Sequence, residues 1–355
     1  MVGQDGLAGD LERLAAAAGC ELDRVDGVSS LRGRWSETSL VLLDADAAGA
    51  CAVARLPRRD GVVVVAAGAA PPNVWERAVA VGAEHVATLP DAEPWLVSAL
   101  ADATETPARP GRVLAVLGGR GGAGSSVLAA AVAVTAAAEQ TGTLLVDCDA
   151  LGGGLDLVLG AEDTAGLRWP GLAMAGGRVA ASSLHAALPA PLLAAGGGRL
   201  TVLSCDRDGT GPDPEAIRGV CAAGRRAGEI VVCDVPRHPC DAAGVALEAA
   251  DLAVLVVPAE VRACAAAATV AARVGGLGTP LQLVVRGPSP GGLSPPEIAR
   301  ALDLPLLVAM RPQPGLAAAL DRGEAPGRGR GPLAVAARAV LDTLDGRAGG
   351  ERNAA

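Results

Sequence analysis

The sequence contains no Lys, no Phe and no Tyr, so all 30 basic residues are Arg. The absence of a lysine amine excludes a Schiff base, a PLP linkage and a P-loop lysine. With four Trp as the only large aromatic residues, the chain lacks the stacking platforms on which single-stranded nucleic acids bind. The net charge of −9 also disfavours binding of a polyanion across the whole surface. Nucleic acid is therefore not expected as a partner.

The cysteines and histidines are not arranged as metal ligands. The eight cysteines form no C-x-x-C pair, and neither they nor the three histidines cluster at metal-ligand spacing. We expect the thiols to be small buried groups in a reducing cytosol. The N-terminus lacks the basic and apolar regions of a signal peptide, and no apolar run reaches the roughly 18 residues of a membrane span. We expect a cytoplasmic protein with no transmembrane segment.

The length of 355 residues predicts two domains, at about 150 residues per domain. A polar stretch with two prolines, residues 101–112, separates two regions that each alternate strand and helix patterns. We predict an N-terminal domain at 1–103, a linker at 104–111, a second domain at 112–344 and a polar tail at 345–355.

Short continuous runs of β-branched residues alternate with helical patterns in both regions, which indicates parallel sheets covered on both faces. In the first region we predict strands at 39–44 and 62–67 and helices at 7–18, near 74–81 and near 95–103. In the second we predict seven strands, at 113–118, 143–149, 200–205, 229–236, 252–258, 281–285 and 305–310, and helices at 125–138, 214–227, 261–274, 295–302 and 332–344. This pattern predicts a doubly wound, mostly parallel α/β domain with its ligand site at the carboxyl ends of the strands.

A glycine-rich segment, GGRGGAGSS at residues 118–126, lies between the first strand and the first helix of the second domain. Gly121, Gly122 and Gly124 permit backbone angles closed to other residues and let N–H groups approach an anion. The positive end of the following helix adds to the attraction, and the Ser126 hydroxyl stands where such loops bind Mg²⁺. We predict a nucleotide-phosphate site formed by Gly121, Gly122, Ala123, Gly124, Ser125 and Ser126.

Acidic residues end two of the predicted strands. Asp147 and Asp149 finish the second strand of the second domain, and Asp234 finishes the fourth. Carboxylates at adjacent strand ends can hold Mg²⁺, directly or through water, and orient an attacking water. Each could instead cap the next helix or turn. We predict that these three carboxylates and Ser126 form a Mg²⁺ site.

The second domain resembles the MinD/ParA superfamily of P-loop ATPases over most of residues 112–344. The glycine-rich segment resembles its deviant Walker A motif, DCDALGGGLDLVLG resembles the segment with the switch I aspartate, here Asp149, and DLPLLVAMRPQPGLAAALDRGEAP resembles a late strand and loop. The phrases LGGRGGAGSS, GLRWPGLA, EVRACAAAAT and VVRGPSPGGL resemble the actinobacterial CpaE-like septum site-determining proteins called Ssd. The resemblance implies ATP and Mg²⁺ as cofactors, a homodimer and a role in septum-site selection.

Three positions depart from the superfamily's pattern. The signature lysine, which in that superfamily reaches the partner's nucleotide across a dimer, is Arg120 here, and the P-loop lysine is Ser125. The Asn that reads adenine is Arg286. Loss of a cation beside the β- and γ-phosphates costs on the order of 2–4 kcal/mol of transition-state stabilisation. We expect some nucleotide affinity from the backbone, weak or absent ATP hydrolysis, and a base selectivity that the family pattern no longer predicts.

The N-terminal region resembles a CheY-like receiver domain. SLVLLDADAA places Asp44 at the phosphoacceptor position, and AVGAEHVATLP resembles the fifth-strand region, with Leu89 at the lysine position. The acidic pair that binds Mg²⁺ is missing, and Ala66 and Ala67 replace the usual Thr or Ser. We therefore predict a pseudo-receiver that serves protein contacts and is not phosphorylated. GLAGDLERLAAAAGCEL resembles the first helix and second strand, so either the native start lies upstream or the sheet is reduced.

The sequence leaves three functions open. The first is a cell-division regulator that determines the septum site through contacts with divisome proteins. The second is an active ATPase that dimerises on ATP, and the third is a CpaE-like positioning factor for Tad/Flp pilus assembly. The last predicted helix, GPLAVAARAVLDTL, lacks a basic face with bulky apolar anchors, so no autonomous membrane-targeting helix is expected. Recruitment to the septum or pole would then require a partner.

Overall fold

The computed structural model describes residues 2–3, 5–59, 61–70, 72–104, 111–139, 142–172, 181–191, 198–207 and 211–346. These residues form two compact units, the N-terminal unit (described residues up to 104) and the C-terminal unit (described residues from 111 on). The predicted linker at 104–111 lies outside the described residues except at its two ends, and the predicted tail is described only at Asp345 and Gly346. No helix within the described ranges is long and apolar enough to cross a membrane.

The N-terminal unit places helices on both faces of a small parallel sheet. Its elements are α1 (Asp5–Ala17), α2 (Val28–Arg32), β1 (Val41–Leu43), α3 (Ala45–Val53), β2 (Val62–Ala67), α4 (Pro72–Val81), β3 (His85–Leu89) and α5 (Glu93–Thr104). The described strands lie in the order β1-β2-β3, and both pairs are parallel. One apolar cluster lies between the sheet and α3 and α4, and another lies between the sheet and α1 and α5. The predicted α/β architecture is confirmed for this unit.

The strand expected directly after the first helix does not form. Residues 20–26 have no regular secondary structure, and Cys20 and Leu22 pack at the edge of the cluster that contains α1. A strand needs a neighbour for its backbone N–H and C=O groups, and within the described residues β1 pairs only with β2. The prediction of a strand at this position is therefore wrong.

Asp44 caps helix α3. Its Oδ1 accepts a hydrogen bond from the Ala47 N–H at 2.8 Å, and its Oδ2 accepts one from the Gly3 N–H at 2.6 Å. The side chain is buried. One carboxylate oxygen caps α3 and the other holds the backbone at Gly3. Leu89, at the position where a receiver has its lysine, is buried in the apolar cluster with α1 and α5. These contacts support a structural role for Asp44.

His85 gives the N-terminal unit an expected pH dependence. Its ring stacks on Trp95 with the ring centres 4.0 Å apart. Burial lowers the pKa of His85 below its ordinary value, and the charge of Glu84 opposes this only in part. Because the folded state has the lower pKa, the stability contributed by this histidine is complete above the unfolded pKa and is lost as the pH falls below it. We expect the unit to unfold at a lower temperature near pH 5 than near pH 7.5.

Thermal unfolding followed by tryptophan fluorescence measures this effect, because Trp35, Trp75 and Trp95 all lie in the N-terminal unit. The variant His85→Gln should show a smaller difference between the two pH values, whereas His238→Gln, in the other unit, should behave as the wild type does. An unaltered pH profile in His85→Gln would contradict the prediction.

The C-terminal unit is built around a larger parallel sheet. Its first part contains β4 (Arg112–Gly118), α6 (Ser125–Glu139), β5 (Gly142–Asp147), α7 (Leu155–Leu159), a 3₁₀ turn (Trp169–Gly171), α8 (Ala181–Ala187), β6 (Arg199–Leu203), α9 (Pro214–Arg226) and β7 (Ile230–Val235). Its second part contains α10 (Asp241–Ala249), β8 (Leu252–Pro258), α11 (Val261–Gly275), β9 (Leu281–Arg286), α12 (Pro295–Leu302), β10 (Leu306–Met310), α13 (Leu316–Leu320) and α14 (Pro332–Leu344). Every strand and helix predicted for this region is present, with ends that differ by a few residues.

The described strands of this sheet lie in the order β10-β9-β8-β4-β7-β5-β6, and every pair is parallel. After β7 the chain crosses to the other side of β4, where β8 pairs. Ligands of doubly wound sheets bind at such a switch point, outside the carboxyl ends of the strands. Helix α6 is buried along residues 128–137, and α14 packs against α6 and β10. The predicted doubly wound, mostly parallel fold is confirmed.

Candidate functional site

The glycine-rich segment forms a loop that joins the end of β4 to the start of α6. Gly122 and Gly124 adopt left-handed φ angles of +71° and +93°, which glycine favours. Gly121 does not, so only two of the three glycines use the backbone freedom that glycine permits. A Cβ atom added to Gly121 or Gly122 would meet no described atom within 4 Å. The space on the Cβ side of these two glycines is therefore open, and the loop leads into the positive end of α6, a position that attracts anions.

Ser126 and Asp234 connect this loop to the carboxyl end of β7. The Ser126 hydroxyl donates a hydrogen bond to the Asp234 carboxylate. Asp234 lies opposite Asp147 in the pairing of β7 with β5, and the two side chains are 5% and 2% exposed. Burial raises the pKa of Asp234 to about 7, and the charges of Asp147 and Asp149 add to the rise, whereas the bond from Ser126 opposes it. The structure thus brings three of the predicted residues to one edge of the sheet.

Asp147 is held by the backbone around it. Its Oδ1 accepts a hydrogen bond from the Asp149 N–H at 3.1 Å, and its Oδ2 accepts bonds from the Leu155 and Cys205 N–H groups at 3.2 Å each. Burial raises the pKa of Asp147 to about 6, and the three backbone bonds oppose this rise. Asp147 therefore holds the backbone of the loop that follows β5. This is the capping role that the sequence left open as the alternative to Mg²⁺ binding.

Asp149 lies half-buried on the loop after β5. Its Oδ1 accepts a hydrogen bond from the Leu151 N–H at 3.1 Å. Within the described ranges, no group of three or more His, Cys, Asp or Glu side chains is arranged to hold a metal ion. Mg²⁺ is usually bound by one or two carboxylates together with phosphate and water. Asp234 is buried next to the Ser126 hydroxyl and has no cationic partner among the described residues, so it fits Mg²⁺ that is bound by a single carboxylate together with phosphate and water.

Arg120 forms an ion pair within its own chain. Its Nη2 donates to both carboxylate oxygens of Glu260, at 2.9 and 3.0 Å. Glu260 is the residue that precedes α11, and sequence reasoning did not single it out, because the two residues lie 140 positions apart. Arg120 stands at the position of the lysine that reaches across a dimer in the MinD/ParA pattern. Here its side chain is ion-paired within its own chain.

Arg286 ends β9 and reaches the glycine-rich loop. It pairs with Pro258 of β8 and with Met310 of β10 at the carboxyl edge of the sheet. Its Nη1 lies 2.9 Å from the position that a Cβ on Gly124 would take. The side chain is half-buried, and its guanidinium has no hydrogen bond or ion pair with any described residue. The structure therefore places this predicted site residue beside the loop.

A buried carboxylate that the sequence did not single out, Asp156, lies at the centre of a polar cluster next to Asp147. Asp156 is 0% exposed and accepts hydrogen bonds from Arg168 Nη2 at 3.1 Å and from Arg207 Nη2 at 3.0 Å. The Ser204 hydroxyl lies 3.2 Å from an Asp156 oxygen and 3.4 Å from an Asp147 oxygen. The cluster therefore connects the ends of β5 and β6 through side chains.

The segment GLRWPGLA supplies two contacts to this region. Arg168 binds Asp156 and also donates to backbone carbonyls of residues 161–166. The indole N–H of Trp169 donates to the backbone carbonyl of Asp147 at 2.6 Å. The segment was singled out in the sequence only for its resemblance to a protein group. Its physical role is to support the loop that carries the predicted acidic residues.

Two proteins of Mycobacterium tuberculosis show the family of this chain. Uncharacterized protein Rv3660c, from strain ATCC 25618 / H37Rv, is 46% identical over 358 residues, which cover 99% of this chain and 99% of that protein. The chain belongs to the Rv3660c-like family. Uncharacterized protein MT3760, from strain CDC 1551 / Oshkosh, has the same identity and coverage. The family model described as Rv3660c-like, CheY-like N-terminal domain matches residues 1–111, so the predicted CheY-like domain of this Rv3660c-like protein is confirmed.

Solved structures share the fold of this Rv3660c-like protein at low sequence identity. A ParA family ATPase from Chlorobium tepidum TLS is 17% identical with a TM-score of 0.54, and the match covers 66% of this chain and 98% of that one. The septum site-determining protein MinD from Pyrococcus horikoshii OT3, complexed with Mg-ADP, is 18% identical with a TM-score of 0.52, and covers 67% and 98%. The Rv3660c-like chain thus has a MinD/ParA-like P-loop NTPase fold.

Proposed function

We propose that this Rv3660c-like protein is a cell-division regulator that determines the septum site, binds nucleotide at a weakened MinD/ParA-type site and acts mainly through protein contacts. The observation that carries the nucleotide part is the loop between β4 and α6. The space beside Gly121 and Gly122 is open and the loop leads into the N-terminus of α6, but Ser125 stands where a P-loop supplies its lysine. The septum-site part is supported by the Ssd-like phrases and by solved neighbours named as MinD cell division proteins.

The residues that would hold a Mg-nucleotide lie on the loop and at two strand ends. Backbone N–H groups of residues 121–126 and the start of α6 would bind phosphate oxygens. Ser126 and Asp234 would hold Mg²⁺, and the buried Asp147 and the nearby Asp149 would add negative charge around it. When bound, Mg²⁺ neutralises charge on the phosphates. The MinD structure from Pyrococcus horikoshii OT3 contains Mg-ADP, and the same ligand is proposed here.

Slow or absent hydrolysis is proposed from three positions. Ser125 brings no charge to the phosphates, the Arg120 guanidinium is paired with Glu260, and Asp149 accepts a hydrogen bond from its own loop at Leu151. Stabilisation of developing charge is usually the largest single contribution to catalysis. A site with these residues would bind nucleotide more readily than it turns it over.

The CheY-like domain is proposed to serve contacts with other proteins. Asp44 caps α3 with Oδ1 and accepts the Gly3 N–H with Oδ2, so the backbone engages both carboxylate oxygens, which supports a domain that signals by binding and not by phosphorylation. One solved neighbour is a MinC:MinD cell division protein complex from Aquifex aeolicus. We propose a homodimer, divisome proteins as partners, recruitment to the septum or pole by one of them, and domain boundaries at 1–103 and 112–344.

Calorimetric titration of the full chain with Mg-ADP and Mg-ATP tests the nucleotide site. We expect binding of both by the wild type. Gly124→Val should weaken it by about tenfold or more, because the residue needs a left-handed φ and its Cβ would meet Arg286 Nη1 at 2.9 Å. Gly244→Ala on α10 is the control, since an added Cβ there meets no described atom within 4 Å. Absence of binding by the wild type would remove the nucleotide part of the proposal.

Two further measurements separate the alternatives. Phosphate release at the rate of lysine-bearing relatives, lost in Arg120→Ala, would favour an active ATPase and contradict the weakened site. Pull-down from cells of the source organism would test the partners. Recovery of Tad/Flp pilus-assembly proteins without divisome proteins would favour the CpaE-like alternative.

A further inference from the structure

We infer that Arg286 supplies the phosphate-binding cation that Ser125 lacks, so that the β-phosphate of the nucleotide is held from the end of β9. This inference rests on the proposed nucleotide site at the glycine-rich loop and adds one contact to it. It assigns Arg286 to the phosphates, whereas the MinD/ParA pattern places a base-reading residue at this position.

The place of Arg286 in the sheet makes this contact possible. β8 lies between β9 and β4, and neighbouring strands are about 4.8 Å apart, so a residue at the end of β9 must span roughly 10 Å to reach the loop after β4. Arg286 does so, with Nη1 2.9 Å and both Cδ and Cζ 3.9 Å from the Cβ position of Gly124. The guanidinium therefore lies against the loop.

No anionic group among the described residues binds Arg286. Its guanidinium has no partner among the described residues, and it lies beside Gly124, directly before the positive end of α6. Arg120, the other arginine of the loop region, is already paired with Glu260. A cation next to a helix N-terminus is unfavourable without a counter-charge. A phosphate bound between them would supply that counter-charge.

The chemistry of the side chain also fits phosphate. A guanidinium stays charged at all relevant pH values and can donate two parallel hydrogen bonds to phosphate oxygens. Such charge-assisted pairs are strong and fix the orientation of the phosphate. A Cβ at position 124 would lie 2.9 Å from Nη1, so the arginine would have to shift away from its present position beside the loop. The expected ligand is a nucleoside diphosphate or triphosphate, and the contact should matter more as the number of phosphates grows.

Calorimetric titration of the full chain with Mg-ADP, AMP and Mg-GDP tests this assignment. Arg286→Gln removes the charge and keeps a polar side chain. We expect its affinity for Mg-ADP to fall by about 10- to 100-fold, the range for a hydrogen bond to a charged group. Its affinity for AMP should change by less than about threefold. Arg300→Gln, which removes the same charge at an exposed position on α12, should change neither.

A lysine at position 125 provides a second arm of the test. If Arg286 fills the role of the missing cation, Ser125→Lys should make it dispensable. The effect of Arg286→Gln on Mg-ADP affinity should then shrink by at least about fivefold in the Ser125→Lys background. Ligand-free Arg286→Gln should unfold at a temperature no lower than that of the wild type, because its guanidinium has no partner among the described residues that the substitution would remove.

The outcomes distinguish this inference from the proposed function. Absence of Mg-ADP binding by the wild type would overturn the nucleotide site and this inference together. Binding by the wild type with an unchanged affinity in Arg286→Gln would overturn the inference alone. Equal losses for Mg-ADP and AMP, with an altered preference between Mg-ADP and Mg-GDP, would place Arg286 at the base and also overturn it.

Discussion

Asp156→Ala is expected to lower the free energy of unfolding of the C-terminal unit by about 3 kcal/mol or more. The Asp156 carboxylate is fully buried and binds Arg168 and Arg207. Its removal leaves the Arg168 side chain, which is 19% exposed, without its counter-charge. An uncompensated charge in a largely buried position costs more than the intact pair contributes. The expected loss is therefore large for a single substitution.

Chemical denaturation of the full chain measures this loss, and hydrogen exchange of peptides from β5 and β6 assigns it to the C-terminal unit. The second readout is needed because a chain of two units does not unfold in one step. Asp163→Ala is the matched control, since Asp163 lies exposed on the loop that follows α7. A loss no larger than that of the control would show that the two arginines find other partners.

The Asp156 cluster also bears on the proposed site. Ser204 lies within hydrogen-bond distance of both Asp156 and Asp147, and Asp147 holds the backbone of Asp149 and Leu155. Loss of Asp156 therefore removes support from the loop that carries the predicted acidic residues. The same substitution should weaken Mg-ADP binding indirectly, although Asp156 is not proposed to contact the ligand.

The strands of the C-terminal unit could be predicted because each is a short continuous apolar run, as in LAVLVVP of β8, where every residue is buried. Helices α9 and α12 could be predicted from their amphipathic patterns and from Pro at their starts. Helices α3, α10 and α13 could not. They have at most nine residues and are rich in Ala, which fits both buried and exposed faces, so too few large apolar side chains mark a helical period.

The part of the site that could be predicted consists of acidic residues at the ends of predicted strands. Asp147 and Asp234 end neighbouring parallel strands, so their proximity follows from the fold. The ion pair of Arg120 with Glu260 could not be predicted, because 140 residues separate the two and only packing of α11 beside the loop joins them. The approach of Arg286 to Gly124 depends in the same way on the strand order β9-β8-β4, which a single sequence does not reveal.

Asp234→Asn is expected to make the ligand-free protein more stable. Burial raises the pKa of Asp234 from its ordinary 3.8 to about 7. The folded state therefore binds this proton more tightly than the unfolded chain does. The stability that the acid contributes is complete below its unfolded pKa and is lost as the pH rises through the folded value. Asn carries no charge, so at about pH 8 it should avoid a cost on the order of 4 kcal/mol.

The same substitution should remove the response to Mg-nucleotide. A ligand that binds only the folded state raises the unfolding temperature, so Mg-ADP should stabilise the wild type but stabilise Asp234→Asn little, because the carboxylate proposed to hold Mg²⁺ with Ser126 is gone. Thermal unfolding with and without Mg-ADP measures both effects, and Asp321→Asn, at an exposed position, is the control. A ligand-free variant less stable than the wild type would contradict the cost of the buried charge, and a full Mg-ADP shift in the variant would contradict the Mg²⁺ role. Asp234→Asn should therefore raise the stability of the ligand-free protein and reduce the stabilisation by Mg-ADP. Both effects follow if this carboxylate has no cationic partner among the described residues until Mg²⁺ binds beside it.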